Sequence, residues 1–404
     1  MKRPSAAQIQ RRRVAAILAA AAVTVGIWAL LFRDEGPGAP DGGSGAAGSV
    51  PAPVRGLVEA MSPEQKVDAV LLLGFEGTDA TAPIVERLRA SQLGGVLIGS
   101  RNWVDSSQLT GLIGELRAAG RSGERIPPLI VAAQEGGPYR AFPDLPPGER
   151  QLDIGDRGDP RLAERSARFV GAVLRQVGFD LNLYPVADVA TLDSPIADRA
   201  YSDDPAVAAS MTAAAIRGCR AAGIACAPKH FPGLGAASQD TAQGPATVSL
   251  DTASLHQRDL AAFEAAFAEG VPAVVLSHAF YTAYDPVTPG SLSSLVATDL
   301  LRGELGFEGP AITDDLGAGA IEARGAAGAA GGRGPRGGSA VTGAAIAAIR
   351  AGADMLLISS PEDQAGVSEA LLGALRSGLL AEERLDVAVG RVLDLKRQLG
   401  LLPD

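Results

Sequence analysis

Ionisable side chains stand at the ends of several strongly apolar segments of this 404-residue chain. Five such ends carry them: Glu135, Asp188, Lys229 with His230, His278, and Asp314 with Asp315. The chain holds only four lysines, so a lysine beside a histidine at such an end points to a function. Each residue also has an ordinary structural explanation, because an Asp can cap a following helix and a histidine can be a hydrogen-bonded core residue. The five ends together favour a polar, partly anionic pocket.

Such a pocket suits carbohydrate chemistry. A glycosidase needs one carboxylate to attack or stabilise the anomeric carbon and one acid to protonate the leaving oxygen. Arg199 and Lys229 are charged donors that can bind sugar hydroxyls. Residue spacing alone does not make this identification, and a phosphate site is the competing hypothesis. The chain lacks a glycine-rich phosphate loop where that hypothesis requires one.

Short apolar runs alternate with helical patterns from about residue 56 onward. Eight runs are expected to be strands, at 69–75, 94–100, 128–135, 180–189, 225–232, 272–278, 310–316 and 353–359. Segments between them, such as 206–223, repeat apolar residues at helical spacing. The pattern predicts an α/β fold, a (β/α)8 barrel whose strand ends build the active site. A doubly wound open sheet is the alternative, but no G-x-G-x-x-G follows the first strand.

The amino terminus carries a topology signal. Residues 1–13 form a basic tail, and the uncharged apolar run 14–32 is long enough to span a bilayer. Basic residues precede the run and acidic residues follow it, so the tail is predicted to be cytoplasmic and the rest extracytoplasmic. Residues 33–55 are expected to be a flexible linker, and 56–404 the single catalytic domain. Cleavage of the apolar segment, which would release a secreted protein, is the alternative.

Composition excludes several classes of function. The chain has 36 basic and 46 acidic residues, a net charge of -10 that disfavours nucleic acid as a partner. Three histidines and two cysteines are too few for a His-rich or Cys-rich metal site, and no cofactor is expected. Cys219 and Cys226 are expected to fill space between helix and strand, with a disulfide between them left open.

Several segments together resemble glycoside hydrolase family 3, in particular its β-N-acetylhexosaminidase branch. The resemblance runs from about residue 60 to 400, and the most specific segments are KHFPG at 229–233 and ITDDL at 312–316. Also similar are GGVLIGSRN, LNLYPVADV, IADRAYSDDP and VVLSHAFYTAYDP. The resemblance implies a TIM-like barrel in the short form that lacks a second α/β domain.

The resemblance also implies roles for individual residues. Asp314 is expected to be the nucleophile that forms a glycosyl-enzyme intermediate. Arg199, Lys229 and His230 are expected to bind the sugar that is cleaved, with His278 similar to a family histidine at the end of the sixth strand. Glu135 and Asp188 complete the set of expected substrate-binding residues.

The sequence departs from the family pattern in two places. Loop 234–245 keeps an acid, Asp240, but has Ala242 where the catalytic Asp–His dyad of this branch has its histidine. A hydroxyl-binding Asp is replaced by Ala133, and the arginines expected after the glycine pair are Pro138 and Ala141, with Arg140 one position away. Loss of proton transfer alone removes about 10² to 10⁴ in rate.

The resemblance nevertheless favours hydrolysis of O-glycosidic bonds by a retaining, β-N-acetylhexosaminidase-like enzyme. We expect it to be a monomer, anchored by 14–32, acting on cell-wall glycans such as peptidoglycan fragments outside the membrane. The alternative is a catalytically impaired pseudoenzyme that binds glycan.

Overall fold

The computed structural model describes residues 48–123, 125–323 and 339–402. The strands in this part of the chain are β1 Leu71–Leu73, β2 Gly95–Leu97, β3 Leu129–Ala132, β4 Leu181–Asn182, β5 Ala225–Cys226, β6 Thr247–Val248, β7 Val274–Leu276, β8 Phe280–Tyr281, β9 Asp285–Pro289, β10 Ala311–Thr313 and β11 Leu356–Ile358.

Helices separate the strands. They are α1 Arg55–Ala60, α2 Pro63–Ala69, α3 Pro83–Ala90, α4 Ser106–Gly120, α5 Gln151–Gly155, α6 Pro160–Val177, α7 Pro205–Ala222, α8 Thr252–Leu255, α9 Ala261–Ala268, α10 Ala340–Ala351, α11 Pro361–Arg376 and α12 Glu382–Gln398. Two π-helical stretches, His256–Leu260 and Leu295–Glu304, and short 3-10 turns such as Ala197–Arg199 complete the elements.

Eight of the strands close into a parallel barrel. Strands β11, β1, β2, β3, β4 and β5 are hydrogen-bonded in that order, and β7 pairs with β10. Parallel bridges from Phe231 to Leu276 and from Ile312 to Met355 join these two groups into one ring. Each of the eight predicted runs contains one barrel strand, so the predicted (β/α)8 barrel is confirmed.

Alternation along each strand separates two layers of core. Leu72 of β1 faces the barrel interior with Val131, Leu181 and Ile312, while its neighbours Leu71 and Leu73 face the surrounding helices. Side chains point to opposite faces of a strand in turn, so apolar residues are required at every position of a strand that is covered on both sides. This explains why the strands are continuous apolar runs.

Polar residues fix where the helices begin and end. Ser62 forms a capping box with Gln65 at the start of α2, and Asp204 accepts hydrogen bonds from two backbone N–H groups at the start of α7. Such caps satisfy N–H groups that have no partner within the helix. Gly223 ends α7 with φ of 72°, a left-handed conformation that glycine adopts without steric cost. These ends set the loops that lead into the next strand.

A small sheet that the sequence analysis did not predict lies beyond the barrel. Strand β6 pairs with β8, which pairs with β9, and Val248 of β6 also bridges to Ala237. Two- and five-residue strands give too short a pattern to separate from loop. The sheet fastens the end of loop 234–245, which carries Asp240.

Cys219 of α7 and Cys226 of β5 form a disulfide. The expectation that they only fill space is therefore wrong, and the pairing that was left open is correct. Their Cα atoms lie 6.2 Å apart, within the usual range for disulfides. The bond ties the end of α7 to the strand that leads to Lys229 and His230.

The amino-terminal expectations fall mostly outside the described residues. The basic tail 1–13, the apolar segment 14–32 and the linker as far as residue 47 are all in the part that the structure does not describe. Residues 48–55 pack on the domain, where Val54 is fully buried in the core. No helix within the described ranges is long and apolar enough to cross a membrane.

Buried ion pairs close the amino-terminal end of the barrel. Asp354, which precedes β11, contacts Arg302 at 2.7 Å, Arg384 at 2.7 Å and Arg391 at 3.2 Å, and it is fully buried. Burial raises the pKa of Asp354, but the three arginines lower it more, so the pKa lies below its ordinary value. This carboxylate is therefore ionised although it is fully buried.

Candidate active site

The carboxyl ends of the barrel strands bring the predicted residues together. Glu135 follows β3, Asp188 follows β4, Lys229 and His230 follow β5, and Asp314 follows β10. Parallel bridges hold these ends in register, because Val186 pairs with Lys229 and the N–H of Asp314 donates to the carbonyl of Leu276 at 3.0 Å. Arg199 joins them from the loop after β4.

Glu135 is the centre of a buried charged cluster. Arg199 donates to it through Nε at 2.9 Å and through Nη2 at 2.8 Å, and Lys229 Nζ lies 2.6 Å from Oε1. Burial raises the pKa of Glu135, but both cations lower it more, so the carboxyl is ionised at all ordinary pH values. Glu135 therefore holds the side chains of Arg199 and Lys229 in position.

His230 is oriented by Asp188. Its Nδ1 lies 2.7 Å from Asp188 Oδ2, and Asp188 Oδ1 accepts hydrogen bonds from the N–H groups of His230 and Leu234. Asp188 is fully buried, and its carboxylate is used by these three contacts. The second ring nitrogen, Nε2, lies 3.5 Å from Arg199 Nη2 and 4.0 Å from Asp314 Oδ2. Asp188 thus acts through His230 and does not itself face the cleft.

Asp314 is the carboxylate that the cluster leaves accessible. Its side chain is 29% exposed, against 8% for Glu135 and 0% for Asp188. Oδ1 accepts a hydrogen bond from the N–H of Asp315 at 2.9 Å, and Oδ2 points toward the His230 ring. Burial raises the pKa of Asp314, but His230, His278 and that N–H lower it more, so the pKa lies below its ordinary value and the carboxyl is ionised at neutral pH.

His278 and Asp315 support Asp314 from behind. His278 is fully buried, with Nδ1 2.6 Å from Ser291 Oγ and Nε2 2.9 Å from the carbonyl of Asp315. Both ring nitrogens are engaged by protein atoms, so the geometry does not match the expectation that His278 binds sugar directly. Asp315 accepts hydrogen bonds from the N–H groups of Gly317 and Ser359, so it has a structural role and anchors the loop that follows Asp314.

Loop 234–245 is fastened to the segment that follows Asp314. The N–H of Gly319 donates to the carbonyl of Ala242 at 3.2 Å, and that of Ala320 donates to the carbonyl of Thr241 at 3.1 Å. Asp240 Oδ1 accepts a hydrogen bond from the N–H of Ala242 at 2.9 Å, and the side chain is partly exposed. Burial lowers the pKa of Arg199, but Glu135 first and then Asp188 and Asp240 raise it more, so Asp240 is close enough to Arg199 to act on its charge.

The segment after Gly137, where the sequence differs from the family pattern, makes contacts of two kinds. Arg140 donates to the carbonyls of Gly137 at 2.8 Å and Pro143 at 2.6 Å, so it braces its own loop and does not replace the missing arginine. Tyr139 lies beside the cluster instead, with its ring centroid 5.8 Å from the Arg199 guanidinium carbon. Cation–π attraction of this kind holds a guanidinium against a ring.

The sequence analysis did not identify several polar residues that support the site. Gln134 donates to the carbonyls of Phe142, Leu145 and Pro146, and the N–H of Gln134 donates to Asn182 Oδ1 at 2.9 Å. Gln134 and Asn182 are polar residues beside or within otherwise apolar strands, and this contrast in the sequence could have identified them. Tyr139 gave no signal, because its contact depends on the turn at Gly136 and Gly137, both with positive φ.

Cavities elsewhere in the described residues do not compete with this site. A cavity of about 530 Å³ near the amino end of β7 is lined by residues such as Phe267, Phe307 and Glu308, and contains no member of the charged cluster. A second of about 400 Å³ lies beside the disulfide. Across the described ranges no three His, Cys, Asp or Glu side chains are placed to hold a metal ion.

A closed parallel barrel with an accessible carboxylate and charged donors at its carboxyl end fits the class of barrel glycosidases. The chain matches the model of the glycosyl hydrolase family 3 N-terminal domain over residues 64–395. It belongs to that family and is a glycoside hydrolase of the β-hexosaminidase-like type.

Individual relatives agree with this assignment. A β-hexosaminidase of Stenotrophomonas maltophilia strain K279a is 34% identical over 343 residues, which is 82% of this chain and 91% of the relative. The solved family 3 β-N-acetylglucosaminidase of a Paenibacillus strain has a TM-score of 0.76 at 32% identity, covering 85% of this chain and 63% of that chain. A solved β-N-acetylhexosaminidase of Beutenbergia cavernae has a TM-score of 0.71 at 29% identity, covering 83% of this chain and 99% of that chain.

Proposed function

We propose that the protein is a retaining β-N-acetylhexosaminidase whose nucleophile is Asp314. The observation that carries the proposal is the accessible, ionised Asp314 carboxylate beside the buried Glu135–Arg199–Lys229 cluster. Arg199 and Lys229 supply donors for sugar hydroxyls, and the Nε2 atom of His230, whose Nδ1 faces the Asp188 carboxylate, accepts a hydrogen bond from one of them. The proposal is supported by the names of the matched relatives, which are hexosaminidases and N-acetylglucosaminidases.

The proposed reaction has two steps. In the first, Asp314 Oδ2 attacks the anomeric carbon, the glycosidic C–O bond breaks, and the leaving oxygen takes a proton from Asp240. In the second, water attacks the glycosyl ester, Asp240 takes a proton from that water, and Asp314 is released as a carboxylate. Asp240 is the only ionisable residue in loop 234–245, which makes it the local candidate for both proton transfers.

We propose further that the enzyme acts outside the cytoplasmic membrane on cell-wall glycans. The basic tail and apolar run at 1–32 support that topology. The Cys219–Cys226 disulfide supports it independently, because disulfides persist mainly in oxidising compartments. Protease added to intact spheroplasts should digest the catalytic domain, and full protection of the domain would contradict the topology.

A glycan-binding pseudoenzyme is the second candidate function. It is favoured by Ala242 in place of the dyad histidine and by Arg140, which is occupied by loop carbonyls and cannot serve a substrate. A binding protein would keep Arg199, Lys229 and His230 and could dispense with the acid.

Covalent trapping separates the two functions. The purified protein is incubated with aryl β-N-acetylglucosaminide and β-glucoside substrates, and separately with a fluorinated-sugar inactivator followed by peptide mass spectrometry. We expect turnover and a label on Asp314, with neither in the Asp314→Asn variant. Labelling at another residue would reject the nucleophile assignment, and binding of N-acetylated glycans without turnover or label would establish the pseudoenzyme.

A further inference from the structure

Asp259 is a buried carboxyl that the proposed mechanism does not use. It lies in the π-helical stretch His256–Leu260 and has no exposed surface. Neither Oδ1 nor Oδ2 has a hydrogen-bond partner among the residues that the structure describes. A buried carboxylate in that condition pays the full desolvation penalty, whereas a protonated carboxyl does not.

Asp259 packs against the turn that follows Lys229 and His230. A Cβ atom at Gly233 would lie 2.8 Å from Asp259 Oδ1, so only glycine leaves room for that carboxyl. Gly233 has φ of 131°, which also favours glycine. The carboxyl of Asp259 is therefore in direct contact with the backbone that carries the sugar-binding residues.

Asp188 and Tyr281 also form hydrogen bonds to the turn 230–234. Asp188 accepts the N–H groups of His230 and Leu234, and the Tyr281 hydroxyl donates to the carbonyl of Gly233 at 3.1 Å. The turn 230–234 is thus enclosed by the Asp188 carboxylate, the Tyr281 hydroxyl and the Asp259 carboxyl.

We propose that Asp259 is a positioning residue: its uncharged carboxyl packs against the turn 230–234, and ionisation of this carboxyl loosens that turn. A second negative charge beside Asp188 would repel the carboxylate that orients His230, and it would seek water or a donor that the packed turn does not provide. The consequence for catalysis rests on the proposed hydrolase function; the structural effect does not.

Electrostatics of the surroundings support this role. Burial raises the pKa of Asp259 to about 7, opposed by Arg258 and reinforced by Asp188. Arg258 makes no hydrogen bond to this carboxyl, and its guanidinium donates to the carbonyl of Val189 at 2.7 Å. Tyr281, which faces the same space, is neutral because burial raises its pKa well above the ordinary value.

Ionisation of Asp259 makes the folding stability depend on pH. The unfolded chain ionises Asp259 near its ordinary pKa of about 3.9, while the folded protein keeps it protonated up to about 7. The unfolded state therefore binds fewer protons between these values, so folding stability falls as pH rises from about 4 to about 7 and then levels off.

Hydrogen exchange tests the proposal on the full-length protein. Amide exchange of a peptide covering residues 229–234 is measured at pH 6 and pH 8, after correction for intrinsic chemical exchange. Because the ionised fraction of a group with a pKa near 7 rises about tenfold over this range, we expect up to a tenfold increase in exchange in the wild type. Asp259→Asn, which cannot ionise, should show no increase.

The control variant is Asp251→Asn. Asp251 is exposed and caps α8, and Asn caps helices equally well, so this variant should exchange like the wild type. The melting temperature of Asp259→Asn should exceed that of the wild type by a margin that widens from pH 4.5 to pH 7 and is constant above. Its kcat/KM for an activated aryl β-N-acetylglucosaminide should persist to higher pH.

The possible outcomes separate this proposal from the proposed function. Equal exchange at both pH values in the wild type, or an equal increase in Asp259→Asn, overturns the positioning role. If no variant hydrolyses any substrate but the exchange difference is present, the positioning role stands and the hydrolase function fails. If Asp259→Asn does not fold, the pH dependence of wild-type exchange still decides, since a flat result overturns the proposal.

Discussion

The two ends of the barrel bury carboxylates in different ways. At the amino end, which we call the closed end, Asp354 is fully buried and contacts three arginines. At the carboxyl end, which we call the open end, Asp314 is 29% exposed, and its Oδ2 atom lies 4.0 Å from the Nε2 atom of His230. Pairing satisfies a buried charge and makes it inert, whereas a charge that is stabilised by neighbours without being bonded to them can still react.

Solvent access distinguishes the carboxylates of the carboxyl end better than their charge does. Glu135 and Asp188, also at the carboxyl end, are paired as completely as Asp354, and they serve to hold Arg199, Lys229 and His230. Among these four acidic residues, only Asp314 combines a lowered pKa with access to solvent. Asp314, the accessible member of the cluster, is therefore the residue that we propose as the nucleophile.

The largest expected effect concerns the acid at the open end. Asp240→Ala should slow hydrolysis of disaccharides by about 10² to 10⁴, because their poor leaving groups need protonation, and should slow activated aryl glycosides far less. Steady-state rates on both substrate classes measure the split, and azide should restore part of the aryl-glycoside rate by replacing water in the second step.

Ala242→His is the complementary test, since a restored imidazole should raise activity on poor leaving groups. Equal slowing of both classes by Asp240→Ala would instead assign Asp240 to bracing its loop through the N–H of Ala242. Unchanged rates would place the acid elsewhere in the chain.

The second effect compares the two carboxylates directly. Asp354→Asn should lower the free energy of unfolding by about 3–5 kcal/mol, because it leaves three arginines unpaired in the interior. Asp314→Asn should change it by less than about 1 kcal/mol while abolishing turnover. Urea denaturation of both variants measures this, and a large loss of stability in Asp314→Asn would show that the open end is as structural as the closed one.

The third effect concerns the disulfide at the closed end. Replacing Cys219 and Cys226 by alanine should cost about 2.5 kcal/mol, the loop-closure value for a bond between residues seven apart. Activity of the folded variant should be unchanged, because neither sulfur contacts the charged cluster. Denaturation with and without a reductant provides the measurement, and loss of turnover in a folded variant would give these cysteines a role at the open end.

The sequence predicted the barrel well because the barrel strands obey one rule. Strands covered on both faces must be continuously apolar, so all eight were visible as runs. Ionisable residues at strand ends, such as Asp314 and Lys229, stand out against those runs. Their individual roles did not follow, because the same sequence signal fits Asp188, which is sealed behind His230, and Asp314, which is open.

Other features depend on contacts between distant segments. Nothing in the sequence distinguishes Asp259 from the other acidic residues, and only the fold places it against Gly233. The disulfide needed the distance between α7 and β5, which the seven-residue separation did not fix. The pairing of Arg140 with loop carbonyls likewise depends on the turn at residues 136–137.

The smallest expected effect concerns Tyr139 at the open end. Its ring lies over the Arg199 guanidinium, which Glu135 already holds through two hydrogen bonds, so the ring adds only a partly exposed cation–π contact of about 0.5–1 kcal/mol. Tyr139→Ala should therefore raise KM by about two- to fivefold with little change in kcat, and Tyr139→Phe, which keeps the ring, should behave like the wild type. Michaelis constants for an aryl β-N-acetylglucosaminide measure this. A loss in kcat/KM well beyond tenfold would mean that the ring binds the sugar itself, and an unchanged KM would mean that Glu135 alone fixes Arg199, as the arginines alone fix Asp354 at the closed end.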